Sequence, residues 1–329
     1  MNNFWKDLKR PIKVLAPMAG YTDAAFRLLA REFGADVVMT ELVSADAIAY
    51  GKYSVLSTQY TAGRKILKFN RVVGKKNQST GDLLSFFEHE RPVVVQLFGK
   101  YPAKFAKAVK WISENLKPDG IDINMGCPAR KVVGSDHGAA LIKYPELAAE
   151  IIQAVKENTN LPVSVKTRLG WDDPATILEF APALYKAGID AIIIHGRTYK
   201  QGFKGEADWT NIYKVKEILP ELVVIGNGGV KSVEGLKLKV KNLDGAAIGQ
   251  AAFGRPWVFS DHDLDKAKLK RLIFRHAELV FATKGEHGLI EFRKHLLKYL
   301  AGFDGAKELR KEAVIIQSMK DIRELIKKL

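Results

Sequence analysis

Residues 221–250 read ELVVIGNGGVKSVEGLKLKVKNLDGAAIGQ. Two short runs, 221–229 and 244–250, are apolar almost without a break, and each ends in a glycine-bearing turn. Between them, residues 232–241 fit a helix. A continuous apolar run of strand length, rather than an alternating one, marks a strand covered on both faces, as in a parallel sheet. The stretch therefore reads as strand, helix, strand.

Six further runs of this kind precede it: KVLAPMAG (13–20), DVVMTELV (36–43), PVVVQLFG (92–99), GIDINMGC (120–127), LPVSVKTR (161–168) and DAIIIHGR (190–197). Helix-like segments lie between them at 102–115, 145–158 and 174–187. Pro145 and Pro174 stand at first helical positions, the second after Asp172 and Asp173 as caps. Eight β/α units over residues 12–258 approach the roughly 250 residues of a (β/α)8 barrel. A doubly wound open sheet is the rival arrangement, and the number of runs favours the barrel.

Beyond residue 262 the strand signal stops. Leu269, Leu272, Ile273, His276, Leu279 and Val280 follow helical spacing, as do Ile315, Met319, Ile322, Ile326 and Leu329. The expected organisation is an α/β chain: a TIM barrel over residues 1–258, then a small C-terminal α-helical bundle domain over 259–329. Residues 52–90 are long for a connection between strands, which predicts a helix and a basic excursion near 60–80, as a hairpin or a loop.

With 47% hydrophobic and 27% charged residues in 329, the composition is that of a globular protein. No apolar stretch approaches the roughly 18–20 residues of a membrane span, and the N-terminus lacks a signal-peptide h-region. The single cysteine, Cys127, excludes an internal disulfide framework and a Cys-cluster zinc site. A cytoplasmic monomer with no membrane contact is expected. The net charge of +15 suggests a polyanionic partner, with simple solubility or a basic proteome as the alternative. The charge is clustered. Residues 52–80 carry seven Lys or Arg and no acid, and residues 262–329 carry sixteen basic against ten acidic residues.

A barrel builds its active site at the C-terminal ends of its strands. Those ends offer Pro17-Met18-Ala19, Glu41, Gln96, Asn124 with Cys127, Lys166 with Arg168, His195, Asn227-Gly228-Gly229 and Gly249-Gln250. The two glycine turns suit a phosphate, because backbone N–H groups can approach an anion there; tight turning alone is the other explanation. Lys166 and Arg168 share one strand face, so Lys166 either opposes a developing anion or pairs with Glu41 or Asp122. His195 is either a ligand-holding or a hydrogen-bonded structural residue. His137 lies in a loop that folds over the site or away from it. Cys127 is either packing or chemistry. No metal motif, GxGxxG unit or GxSxG elbow is present, so no metal and no bound dinucleotide domain are expected.

Taken in order, APMAGYTDAAFR, VVVQLFG, DINMGCPARKVVGSDHGAAL, VSVKTRLGW, IIIHGRT, VIGNGGV, AAIGQAAFGRPW and FRKHLLKYLAG resemble the tRNA-dihydrouridine synthases, closest to the bacterial DusB-like branch, over about residues 11–325. The resemblance implies an FMN-bound barrel with NADPH as external reductant, and a C-terminal helical domain that holds tRNA. It implies that Pro17, Met18 and Ala19 line the isoalloxazine, with Gln96, Lys166, Asn124 and His195 near its polar edge. Asn227, Gly228, Gly229, Gly249 and Gln250 would hold the ribityl phosphate. Cys127 would be the general acid, and Arg168, Arg197, Arg293 and Lys294 would meet the RNA. Two features depart from the family pattern. Its usual Gly-Arg pair at the eighth strand end is Gly249-Gln250 here, and the 52–80 segment is longer and more basic. Rival readings are an FMN barrel oxidoreductase acting on a small pyrimidine or enone, and a non-catalytic tRNA-binding protein.

Overall fold

The computed structural model describes residues 3–62, 65–74, 78–260, 263–301 and 305–329. Its strands are β1 (Ile12–Leu15), β2 (Val37–Met39), β3 (Val43–Ser44), β4 (Tyr53–Ala62), β5 (Lys65–Gly74), β6 (Phe86–Phe87), β7 (Val93–Phe98), β8 (Gly120–Met125), β9 (Val163–Arg168), β10 (Ala191–His195), β11 (Val223–Asn227) and β12 (Gly245–Ile248). Neighbours run β2-β1-β12-β11-β10-β9-β8-β7, and β7 pairs back onto β2. All of these pairs are parallel, so eight strands close a barrel. The run 221–250 supplies β11, the helix Val233–Val240 and β12.

Alternation along each strand explains why most runs begin apolar on both faces. Val14, Met39, Val94, Ile193 and Ile225 share one buried cluster inside the barrel, with Trp5 of the N-terminal turn at its base. Residues of opposite parity, such as Val95, Ile123, Val165 and Ile194, pack outward against the helices. Further along the same inward parity the residues become polar: Gln96, Asp122, Asn124, Ser164, Lys166, His195 and Asn227. The lumen is thus apolar at the bottom and polar at the top. Gly226 has no room for a side chain on the outer face, since a Cβ there would lie 2.3 Å from the Trp209 ring.

The run 36–43 is not one strand. Met39 pairs with Val94 and Val43 with Leu97, so one extra residue is accommodated between the two pairs, as in a β-bulge. The Thr40 hydroxyl accepts from the Gln96 backbone N–H at 3.0 Å. The Glu41 carboxylate accepts from the Gly20 N–H.

Between β3 and β7 lie the helix Ala45–Tyr50, an antiparallel hairpin of β4 and β5 in register from Tyr53↔Gly74 to Ala62↔Lys65, and the helix Gln78–Leu84. Val72 joins the barrel-side core, whereas Leu67 and Phe69, with Phe87, join the core of the C-terminal helices. The hairpin therefore bridges the two. Arg64, Lys75 and Lys76, part of the basic excursion, lie outside the described residues.

The helix Lys266–Tyr299 is broken at Gly285 (φ 65°, ψ −154°) and is followed by the helices Ala306–Ala313 and Met319–Lys327. The helical pattern expected from Ile315 begins later. Ser318 and Asp321 form a reciprocal cap, so the helix starts at Met319. Ile315 is exposed and Ile316 buried instead. Among the described residues no helix is long and apolar enough to cross a membrane.

Candidate active site

A cleft of about 750 Å³ opens at the C-terminal ends of the barrel strands. Pro17, Met18, Ala19, Asn124, Cys127, Lys166, Arg168, His195, Arg197, Asn227, Gly228, Gly229, Gly249 and Gln250 all line it. Gln96 lies under its floor, fully buried. Lys294 reaches the rim, its ammonium 5.8 Å from the centre of the Tyr21 ring, and Tyr21 lines the cleft. Arg293 is elsewhere: its guanidinium donates to the Ile316 carbonyl and so fixes the turn before the last helix. His137 packs edge-on against Phe98 and is not part of the cleft wall.

The sequence reading missed Tyr21, Phe203, Lys231, Phe253 and Arg255, which also line the cleft. Tyr21 and Phe253 stack with ring centres 3.9 Å apart. They sit in loops after the first and last barrel strands, which only barrel closure brings together.

Beneath the cleft runs a buried hydrogen-bond chain. Ser164 Oγ donates to Asp122 Oδ1 at 2.6 Å, and Gln96 Nε2 donates to Asp122 Oδ2 at 2.7 Å. Asn124 Nδ2 then donates to Gln96 Oε1 at 2.8 Å, which turns Asn124 Oδ1 upward to accept the Cys127 N–H at 2.9 Å and the Gly126 N–H at 3.2 Å. Arg168 Nε donates to the Gly126 carbonyl at 2.8 Å, and its Nη1 to Thr198 and Gly202 carbonyls. The backbone around Cys127 is held from below and from the side, while the half-buried thiol has no disulfide partner.

Burial pushes the Asp122 carboxyl up to about 7, against the hydrogen bonds from Ser164 and Gln96 and the charge of Lys166. Burial and the neighbouring Arg168 bring Lys166 down to about 8, so it remains largely charged at neutral pH. Its ammonium donates to Asn227 Oδ1 at 3.1 Å, and Asn227 Nδ2 to the Ala247 carbonyl at 2.7 Å. The pairing with Glu41 or Asp122 weighed above is not formed. Burial, then Lys166, Arg168 and Arg197, push His195 down to about 2. Arg197 Nη1 lies 3.1 Å from His195 Nε2. A guanidinium only donates, so Nε2 accepts and the neutral ring carries its proton on Nδ1. The neutral imidazole of His195 thus sits among three cationic side chains, Lys166, Arg168 and Arg197.

At the other end, Gly228 and Gly229 have positive φ (103° and 74°). The N–H groups of Gly228, Gly229 and Gly249 find no acceptor among the described residues. Unpaired backbone N–H groups on residues that line a cleft can cradle an anion. Outside the cleft, Asp23, His276 and His295 form a buried trio whose ligand atoms lie within 4.8 Å of one another. The Lys284 ammonium lies 3.5 Å from Asp23.

A closed (β/α)8 barrel whose lumen turns polar and cationic at the C-terminal strand ends is a barrel enzyme by architecture. The sequence model of the family described as dihydrouridine synthase (Dus) matches residues 14–328. A probable tRNA-dihydrouridine synthase of Aquifex aeolicus is 33% identical over 96% of this chain and 95% of its own. The tRNA-dihydrouridine synthase B of Pseudomonas aeruginosa is 35% identical over 90% of this chain and 86% of its own. Among solved structures, a 2-naphthoyl-CoA reductase complex superposes with a TM-score of 0.54 at 10% identity, covering 75% of this chain and 49% of that one, a likeness of fold. The chain belongs to the dihydrouridine synthase family and is an oxidoreductase.

Proposed function

We propose that the protein is an FMN-dependent tRNA-dihydrouridine synthase that reduces the C5=C6 bond of specific uridines in tRNA, with NADPH as external reductant. One observation carries the reading: a single cleft holds the Cys127 thiol, the Lys166 ammonium and a cradle of unpaired N–H groups. The residues suit the cofactor, with an apolar wall at Pro17–Ala19, a cation at Lys166 for the electron-rich ring edge, and the glycine turns for the phosphate.

Bound there, a flavin reduced by NADPH would supply the hydride that adds to uracil C6. Cys127 would give its thiol proton to C5. The π bond becomes one new C–H bond at each carbon, and the thiolate left behind takes a proton from solvent. A general acid of this kind contributes roughly 10²–10⁴-fold. Asn124 sets the height of Cys127 by holding its N–H. Lys166 supports negative charge on the ring, and Gln96 acts through Asn124. His195 accepts from Arg197 and offers its Nδ1 proton. Arg168 and Arg197 bound the uracil side of the cleft.

A uridine in folded RNA must be turned out of its stack to reach this depth. The barrel, residues 1–258, would carry the chemistry. The basic helices of 259–329, with Lys294 at the rim, and the basic 52–80 segment would hold the backbone phosphates. A tRNA substrate supports a cytoplasmic location. The test is the chromophore: acid release from the purified protein should yield FMN by mass, and anaerobic NADPH should bleach its visible band. A colourless protein that cannot be reconstituted with FMN would overturn the reading.

A further inference from the structure

We infer that Lys231 and Lys239 supply the positive charge that pairs with the terminal phosphate of the flavin, at the place where this chain carries neutral Gln250; the inference rests on the flavin reading above. The cradle formed by Gly228, Gly229 and Gly249 offers N–H dipoles but no ionic charge. A phosphate monoester near neutral pH carries close to two negative charges, and charge-assisted hydrogen bonds are about twice as strong as neutral ones. A nearby cation would therefore strengthen the site, and Gln250, which lines this end of the cleft, cannot be one.

Two lysines flank the turn. Lys231 follows Gly229 by two positions, is exposed and lines the cleft. Lys239 approaches from the helix Val233–Val240. Its ammonium lies 3.7 Å from where a Cβ on Gly229 would stand, so the missing side chain leaves room for the charge to reach the turn. The Tyr213 hydroxyl donates to the Lys239 carbonyl at 2.8 Å and holds that end of the helix in place. Neither lysine forms an ion pair among the described residues. Lys239 acts electrostatically on Asp208, whose Oδ1 already accepts from the Thr210 N–H and hydroxyl. Arg255 also lines the cleft, but its guanidinium leans to Asp263 at 3.8 Å. The Lys239 ammonium rests 5.4 Å from the Trp209 ring centre, a weak contact to give up when an anion arrives.

Riboflavin, which lacks the phosphate, separates this role from a structural one. The full-length protein, freed of bound flavin by dialysis, is titrated with FMN and with riboflavin by fluorescence quenching, as wild type and as the Lys231→Met/Lys239→Met double variant. The double variant should lose at least about tenfold in FMN affinity, the loss of one charge-assisted contact, and show a shallower salt dependence. Its riboflavin affinity, which also reports an intact cleft, should be unchanged. Unaltered FMN affinity, or equal weakening for both flavins, overturns the inference. A wild-type protein that binds neither flavin instead overturns the flavin reading and takes this inference with it.

Discussion

Cys127 is held by its backbone rather than by its sulfur: Asn124 fixes the N–H at 2.9 Å and Arg168 fixes the preceding carbonyl. Replacing the thiol therefore leaves its surroundings in place. Cys127→Ala should keep the flavin spectrum and tRNA affinity of the wild type while turnover falls about 10²–10⁴-fold; an equal loss of binding would contradict the role. Asp122 makes a different prediction. Its folded pKa of about 7 lies above the ordinary carboxylate value, so the native state keeps a proton that the unfolded chain releases near pH 4. That contribution is present at low pH and lost as pH rises to about 7. In Asp122→Asn, the fall in denaturation midpoint from pH 5 to pH 8 should be smaller than in the wild type; an unchanged fall would show that Asp122 is ionised throughout. Asn124, Cys127 and Arg168 were legible in the sequence because they stand at the C-terminal ends of the runs 120–127 and 161–168. Arg293 was not, because its partner, the Ile316 carbonyl, is set by how the last helices pack.

At the level of elements, the hairpin of β4 and β5 decides how the helices sit on the barrel. Phe69 and Phe87, both buried with ring centres 4.6 Å apart, anchor it in the C-terminal core. Phe69→Ala should cost about 3–5 kcal/mol and speed proteolysis within residues 266–329 more than within the barrel. Uniform cleavage along the chain would show that the hairpin does not tie the two together. The strand runs were readable because most are apolar on both faces through their first residues, with polar side chains gathering toward their C-terminal ends. The split of 36–43 was not, since Thr40 and Glu41 look like a strand's end and the extra residue shows only in the pairing with β7. The last helix was placed too early for a similar reason: Ile315 keeps helical spacing, and the Ser318–Asp321 cap overrides it.

Across the whole molecule, an apolar barrel floor supports a polar rim, and a net charge of +15 surrounds a cleft that already holds Lys166, Arg168 and Arg197. A small pyrimidine needs the cleft alone. A uridine within RNA uses both the cleft and the basic surface, which is why the tRNA reading accounts for more of the chain. The fold and the strand-end residues followed from local patterns, whereas the aromatic pair Tyr21–Phe253 and the lysines around Gly229 appear only once the barrel closes. The most direct test is to incubate unmodified tRNA with the purified protein, FMN and NADPH, and to measure dihydrouridine in the digested nucleosides by mass spectrometry. Dihydrouridine should rise at defined positions with wild type and stay near background with Cys127→Ala. No rise with the wild-type flavoprotein, while NADPH is consumed on a small pyrimidine or enone, would contradict the account.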